Sequence, residues 1–451
     1  MFINNLKYKL SNNTSKVILL VVILSTISYN HAFSFHLYWD DWFQILGSLY
    51  YPEILNSYFT KHPVSILEFK LFSGIFKYNP YFWELLGYLL KVIASLSLWP
   101  LMFILTNSKK VALYSCLFFA VSVVGAESYY WASAHSSAIV IPLINLGFYF
   151  WIKSADNKSF KIFFIGLLLF TLSILAEPGR AFMTIVLASI WEFFSLYQNI
   201  KLKNLTFSLI RLAFLFSLIP LTGLIVNKFF HITPDISILI RGFSDISIDN
   251  IIDSLKNLLF GWTLIPEQLR ILLTIVFLLS MVLTLILFFW KKHSSYKIIL
   301  FLDLWLLLFY IPNYLAQADA RLGGSTEHRY YTISAVALIG LLAYGFSFLS
   351  SKYINWIIVL FLVFNVYVTN QVLIKNSTYR SIQIHNKIWD KIDQDVPPGE
   401  KNSIFMFSGV DFNLRSRLLD WNDTMPFVAK RGLVISYEYP FFTNDKFLIA
   451  K

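Results

Sequence analysis

Eleven apolar stretches, each near the roughly 20 residues needed to cross a bilayer core, follow one another along this chain. They lie at about 17–35, 81–105, 111–126, 138–152, 162–176, 181–197, 212–230, 271–290, 298–315, 330–350 and 353–374. Several are short enough that some pairs could be re-entrant. A backbone in lipid must satisfy its own N–H and C=O groups, so such segments fold as helices. The expected fold class is therefore an all-α polytopic membrane protein with about 11 transmembrane helices. Composition leaves little else. Only 14% of the 451 residues are charged and 57% are hydrophobic, against roughly 25% and 45–50% in soluble domains. Disorder, a coiled coil and a secreted disulfide scaffold are excluded. The aromatic share of 18% suits Trp and Tyr gathered at membrane interfaces.

The net charge of +11 is read as topology and not as nucleic-acid binding. With the N-terminus and its Lys7, Lys9 and Lys16 in the cytoplasm, the short Lys-rich connectors all fall inside. These hold Lys109/Lys110, Lys153/Lys158/Lys161, Lys201/Lys203/Arg211, Lys291/Lys292/Lys297 and Lys352. The opposite loops, near 36–80, 127–137, 177–180, 231–268 and 316–329, carry most of the acids, His and Pro of the membrane part. That places the C-terminus outside. The first span reads as an uncleaved anchor, although Ala32-Phe33-Ser34 would also pass as a signal-peptide cleavage site. Cys116 is the one cysteine, so there is no disulfide framework and no Cys metal cluster.

Two domains are expected: a membrane domain over 1–375 and a small extracytoplasmic α/β unit over 376–451. In the second, 381–392 has helical apolar spacing, and Val396-Pro397-Pro398-Gly399 breaks the chain. The runs 403–407 and 432–437 alternate like strands.

The outer loops hold the candidate chemistry. Tyr38-Trp39-Asp40-Asp41-Trp42 sets two carboxylates side by side just after the first span. One of them with a raised pKa would suit a general base, or the pair could hold a divalent cation. On a helix the two side chains diverge by about 100°, which weakens chelation, and a solvated helix cap is the plain alternative. Lys61-His62-Pro63 could hold a phosphate, or Lys61 could simply snorkel. Lys91 lies a third of the way into the second span, one helical face from Glu84. A charge at that depth marks either a functional group or a structural pair with a carboxylate. Glu127 and His135 of the second loop could be metal ligands, acid–base groups or hydrogen-bonded interface residues. In the third loop Glu177 and Arg180 could just pair. The last loop gathers Arg321, Glu327, His328 and Arg329 around Gly323-Gly324 at the start of a span, a setting that suits an anionic phosphate. No P-loop, dinucleotide fingerprint or H-E-x-x-H occurs.

The layout resembles the GT-C glycosyltransferases, polytopic transferases that use polyprenyl-phosphate-linked sugars. Trp39-Asp40-Asp41-Trp42 matches their paired first-loop acids in position. Glu127–Trp131 with the span after it is similar to the acid-and-Trp second loop of O-mannosyltransferases and their bacterial relatives. Glu327-His328-Arg329-Tyr330-Tyr331 resembles their E-R-Y-L-Y-L-P stretch. It departs by the inserted His328 and by Thr332-Ile333 in place of Leu-Pro, and Lys61-His62-Pro63 stands where many bacterial relatives have Arg-Pro. The likeness covers 1–350 as a layout and about twenty residues as motifs.

The resemblance implies a bacterial plasma-membrane enzyme that moves a sugar from a polyprenyl-phosphate carrier to a glycan, lipid or protein acceptor at the extracytoplasmic face. Asp40 would take or orient the acceptor proton. Asp41 would support it or, with Glu127, hold a divalent metal. Lys61, His62, Arg321, His328 and Arg329 would bind the lipid phosphate, and Glu127, His135 and Glu327 would support the acceptor. A transporter or flippase for lipid-linked glycans, or a ligase moving a whole glycan, is the competing reading. The absence of an internal repeat and the one-sided polar residues weigh against passage.

Overall fold

A computed structural model describes residues 13–38, 40–50, 63–198, 202–230, 248–291, 293–316, 325–349, 351–383, 386–387, 390, 404–406 and 446–448. Sixteen α-helices carry most of them. They are α1 Asn13–Tyr29, α2 Asp40–Tyr50, α3 Pro63–Phe76, α4 Pro80–Thr106, α5 Lys109–Val121, α6 Glu127–Tyr130, α7 His135–Asn157 and α8 Phe160–Ala176. Then follow α9 Pro178–Ala181, α10 Met183–Gln198, α11 Leu202–Phe230, α12 Ile248–Phe260, α13 Glu267–Lys291, α14 Ser294–Ala316, α15 Thr332–Ser347 and α16 Ser351–Arg380.

Eight helical stretches among the described residues are long and apolar enough to cross a membrane: 15–34, 80–106, 132–157, 205–224, 267–291, 294–311, 329–347 and 354–377. Each coincides with an expected span. The other three expected spans are helical but shorter, namely α5, α8 and α10 with 13, 17 and 16 residues. At about 1.5 Å per residue these reach roughly 20–26 Å, less than the roughly 30 Å of a hydrocarbon core. The chain is thus an integral membrane protein of helices. Its lipid-facing surface shows in α13 and α16, where Leu279 is 64% exposed and Leu360 66%.

Small residues set the tightest helix pair. A side chain at Gly147 of α7 would strike the Phe170 ring at 2.6 Å, and one at Gly166 of α8 would come within 3.1 Å of the Trp151 nitrogen. Between membrane helices, where lipid is as apolar as leucine, such close approach supplies the packing energy. Behind that pair, α4, α5, α14 and α15 enclose a core that includes Trp151, Trp305, Phe148 and Phe301.

The expected span at 111–126 stops early for a physical reason. After Val121 the chain leaves the helix and runs buried through Ser122–Ala126. Irregular backbone at that depth needs partners. The Ser122 carbonyl accepts from the Tyr29 hydroxyl at 2.8 Å and from Lys91 Nζ at 3.2 Å. Gly125 takes φ +70° with Thr332 packed directly against its Cα.

Lys91 does not pair with Glu84. Its ammonium sits among the rings of Phe119, Tyr129 and Tyr29, at 4.3, 4.6 and 5.1 Å from their centroids, and is fully buried. A desolvated cation on three ring faces is held by quadrupole attraction, so no carboxylate is required.

Toward the C-terminus, Ile404–Met406 (β1) pairs antiparallel with Lys446–Leu448 (β2). Residues 382–383, 386–387 and 390 are helical. The expected strand at 432–437 lies outside the described residues.

Candidate functional site

One end of the bundle collects the chemistry, and the first and last spans are stitched together there. His36 N–H donates to the Arg380 carbonyl at 2.7 Å, and Phe35 bridges Ser381. Just beyond, Asp40 and Asp41 open α2, where carboxylates complement the helix dipole. Trp42 is fully buried in a small cluster with Leu37, Phe69 and Trp83, which seats α2 and α3 on the start of α4.

The two adjacent aspartates have different surroundings. Asp41 is 2% exposed and ties the first loop to the second. Its Oδ2 accepts from Tyr38 N–H at 2.9 Å, and its Oδ1 accepts from Ser133 N–H at 2.8 Å and from the Ser133 hydroxyl at 2.6 Å. Burial pushes its carboxyl above the ordinary 3.8, against the pull of these donors and of the Arg380 charge. Asp40, one residue earlier, is only partly buried. It is near enough to Arg329 to act on its guanidinium through space.

Residues 131–135 form a clamp across both first-loop helices. Trp131 Nε1 donates to the Tyr38 carbonyl at 3.2 Å, Ser133 holds Asp41, and His135 Nδ1 meets Glu68 Oε1 of α3 at 2.6 Å. His135 and Glu68 are both buried, and the pair fastens α3 to the start of α7.

Opposite the aspartates, the Arg329 guanidinium carbon lies 4.3 Å from the Trp131 ring centroid, and Nη2 donates to the Tyr330 hydroxyl at 3.3 Å. Glu127 Oε2 accepts the Arg329 backbone N–H at 3.1 Å, and Glu127 N–H donates to the Glu327 carbonyl at 2.8 Å. The second and last loops are thereby tied edge to edge. Among the described residues no carboxylate sits within ion-pair distance of Arg329. A planar fork on an aromatic face keeps its N–H edges available to an anion.

Tyr330 is the hub of this wall. His328 stacks on its ring at 4.6 Å, and the Arg180 guanidinium lies 4.4 Å from it. Arg180 does pair with Glu177, at 2.9 Å, as its loop allowed, and it also donates to Ser137 at 2.9 Å. Glu177 in turn accepts from Ser136 at 2.7 Å. Arg180 thus has a direct ion pair, while Arg329 acts with Glu127 and Asp40 only through space.

Of the sequence candidates, the structure brings together Asp40, Asp41, Glu127, His135, Glu327, His328 and Arg329. Trp39, Lys61, His62 and Arg321 lie outside the described residues. Of the oxygens that a metal would need, both of Asp41 and Oε2 of Glu127 accept N–H and O–H donors. Among the described residues no three of His, Cys, Asp and Glu converge on a cation. The sequence assigns no role to Glu68, Tyr330 or Arg380. Arg380 is 2% exposed, stands 4.0 Å from the Tyr38 ring centroid and donates to the Tyr130 carbonyl at 3.0 Å. Its one sequence signal is a cation at the end of an apolar run, which ordinary snorkelling also gives.

No family profile matches this sequence, and no curated protein matches it. Among solved structures, the chain is similar to the archaeal oligosaccharyltransferase AglB from Archaeoglobus fulgidus, in complex with an inhibitory peptide and a dolichol-phosphate. The identity is 13% and the TM-score 0.48, over 85% of this chain and 58% of that one, so the chain spans under two thirds of that protein's length.

Proposed function

We propose that this protein is a membrane glycosyltransferase that moves a sugar from a polyprenyl-phosphate carrier to an acceptor hydroxyl at the extracytoplasmic face, in the modification of a cell-envelope glycan. The observation that carries the reading is one partly buried carboxylate, Asp40, at the same end of the bundle as Arg329, which among the described residues has no carboxylate within ion-pair distance. Asp40 is followed by the buried Asp41, and Arg329 lies on the buried Trp131 ring with its backbone N–H donating to Glu127.

In this reaction Asp40 accepts the proton of the acceptor hydroxyl. The acceptor oxygen bonds to the anomeric carbon, the bond from that carbon to the phosphate oxygen breaks, and the electron pair leaves with the phosphate. Attack opposite the leaving group inverts the anomeric centre. Arg329, with His328 and Arg180 around Tyr330, stabilises the departing anion. Prealigned cations at a developing charge are commonly the largest single contribution in such a step.

The reading is tested in membranes that contain the full chain, with radiolabelled polyprenyl-phosphate sugars as donors and envelope glycans compared by mass. Loss of a single sugar residue in its absence supports transfer. A complete glycan retained on the cytoplasmic side would mean flipping instead.

A further inference from the structure

The same end of the bundle contains a cavity of about 230 Å³, lined in part by Ser325–Glu327 of the strip that leads to Arg329. One wall is apolar and formed by Val123, Val368 and Val372. The other is polar, with Arg270, Glu327 and Ser325. Arg270 belongs to the first turns of α13 and is fixed in place: Nε donates to the Ile265 carbonyl at 2.6 Å and Nη2 to the Thr263 carbonyl at 3.3 Å. The polar strip is fixed as well, since the Thr326 hydroxyl donates to the Asn257 carbonyl at 3.1 Å.

One cation and one carboxyl thus line a single small space, yet no ion pair joins Arg270 to Glu327. Opposite charges held apart in one cavity are complementary to a zwitterion. A cavity of this size holds about eight waters at ~30 Å³ each, close to the volume of a headgroup of about eight non-hydrogen atoms. Val368 and Val372 stand one turn apart on α16 and are only partly buried, which gives the cavity an apolar strip along that helix. A ligand seated here would therefore have a chain to lay along α16.

We infer that this cavity binds the headgroup of an aminophospholipid, with the phosphate on Arg270, the primary ammonium on Glu327 and an acyl chain against Val368 and Val372. Burial pushes the Glu327 carboxyl up, against the pull of its own backbone N–H and of the Ser325 hydroxyl; Glu127 adds to the rise and Lys375 opposes it, and a bound ammonium would relieve the remaining cost. The Glu327 carbonyl holds Glu127, and Glu127 holds Arg329. A lipid in the cavity would brace the phosphate-facing wall from behind.

The test uses the purified full chain in detergent, stripped of lipid and titrated with phosphatidylethanolamine, phosphatidylglycerol or phosphatidylcholine, with retained lipid read by native mass spectrometry. Phosphatidylethanolamine should be retained at least tenfold better than phosphatidylglycerol, which lacks the ammonium, or phosphatidylcholine, whose methylated nitrogen donates no hydrogen bond. Arg270→Gln should lower retention of all three lipids, and Glu327→Gln should abolish the preference. Because Arg270 also anchors its own turn, Val372→Trp, which fills the cavity from the apolar side, should lower retention tenfold independently. Equal retention of the three lipids, or full retention in Val372→Trp, would overturn the inference. So would competition by free phosphoethanolamine at the lipid's own affinity, since the site would then read a soluble zwitterion. Binding is measured without turnover, so this result stands apart from the fate of the proposed reaction.

Discussion

Replacing Asp40 and Asp41 one at a time by Asn separates chemistry from scaffolding, because the two side chains differ in what they touch. Asp41→Asn keeps an acceptor for the two Ser133 donors but turns an NH₂ toward Tyr38 N–H, or the reverse if the amide flips. At least one buried N–H is left unpaired at a cost of about 1–3 kcal/mol. That cost appears as easier opening of the segment around Tyr38 and Ser133. Their amide hydrogen exchange should quicken by roughly 5- to 150-fold, since each 1.4 kcal/mol is about tenfold. Asp40 is only partly buried. Asp40→Asn should leave those amides as protected as before and lower sugar transfer by about 10²–10⁴-fold, the usual contribution of a positioned base. The assay pairs exchange mass spectrometry on the detergent-solubilised protein with donor turnover in membranes. Full turnover in Asp40→Asn, together with unchanged exchange and lost turnover in Asp41→Asn, would show that the roles are reversed.

Other consequences follow from the same geometry. Arg329→Lys keeps the charge but loses the planar fork above Trp131, so transfer should fall at least tenfold while insertion is kept; unchanged turnover would remove Arg329 from the phosphate site. Lys91→Met puts an apolar chain of similar length among Tyr29, Phe119 and Tyr129, and both thermal stability and transfer should be retained, because no carboxylate loses its partner. A severe loss of activity in that variant would favour the pathway role that a transporter needs. Gly125→Ala forces a side chain at φ +70° onto Thr332 and should destabilise the protein by about 3 kcal/mol or more, read as reduced yield and a lower melting temperature. Glu327 has a carboxyl raised above its ordinary 4.5, so the folded state holds its proton more tightly than the unfolded chain does. Its contribution is complete below about pH 4.5 and declines as pH rises through the raised value. Glu327→Gln should flatten that slope in melts taken from pH 4.5 upward, and an unchanged slope would refute it.

How much was legible differs between the spans and the site. The eight long spans follow from length and hydropathy, which act locally and need no knowledge of neighbours. The run at 111–126 was equally apolar, but its last residues are bent by contacts from Tyr29, Lys91 and Thr332, which are remote in sequence. The outer loops were recognisable as candidates because charge is scarce and unevenly placed. Which member of each group reacts was not recognisable.

The sequence by itself determined that this chain lives in a membrane and that its polar chemistry lies in a few loops, since transfer free energy depends on residue type and run length alone. Tertiary structure alone decided that Asp41 is buried on Tyr38 and Ser133 donors while Asp40 is only partly buried, that Lys91 is caged by rings, and that among the described residues no carboxylate reaches the Arg329 fork. Each of those roles depends on which distant backbone donors, rings and carboxylates arrive within hydrogen-bond reach, and helix packing sets that.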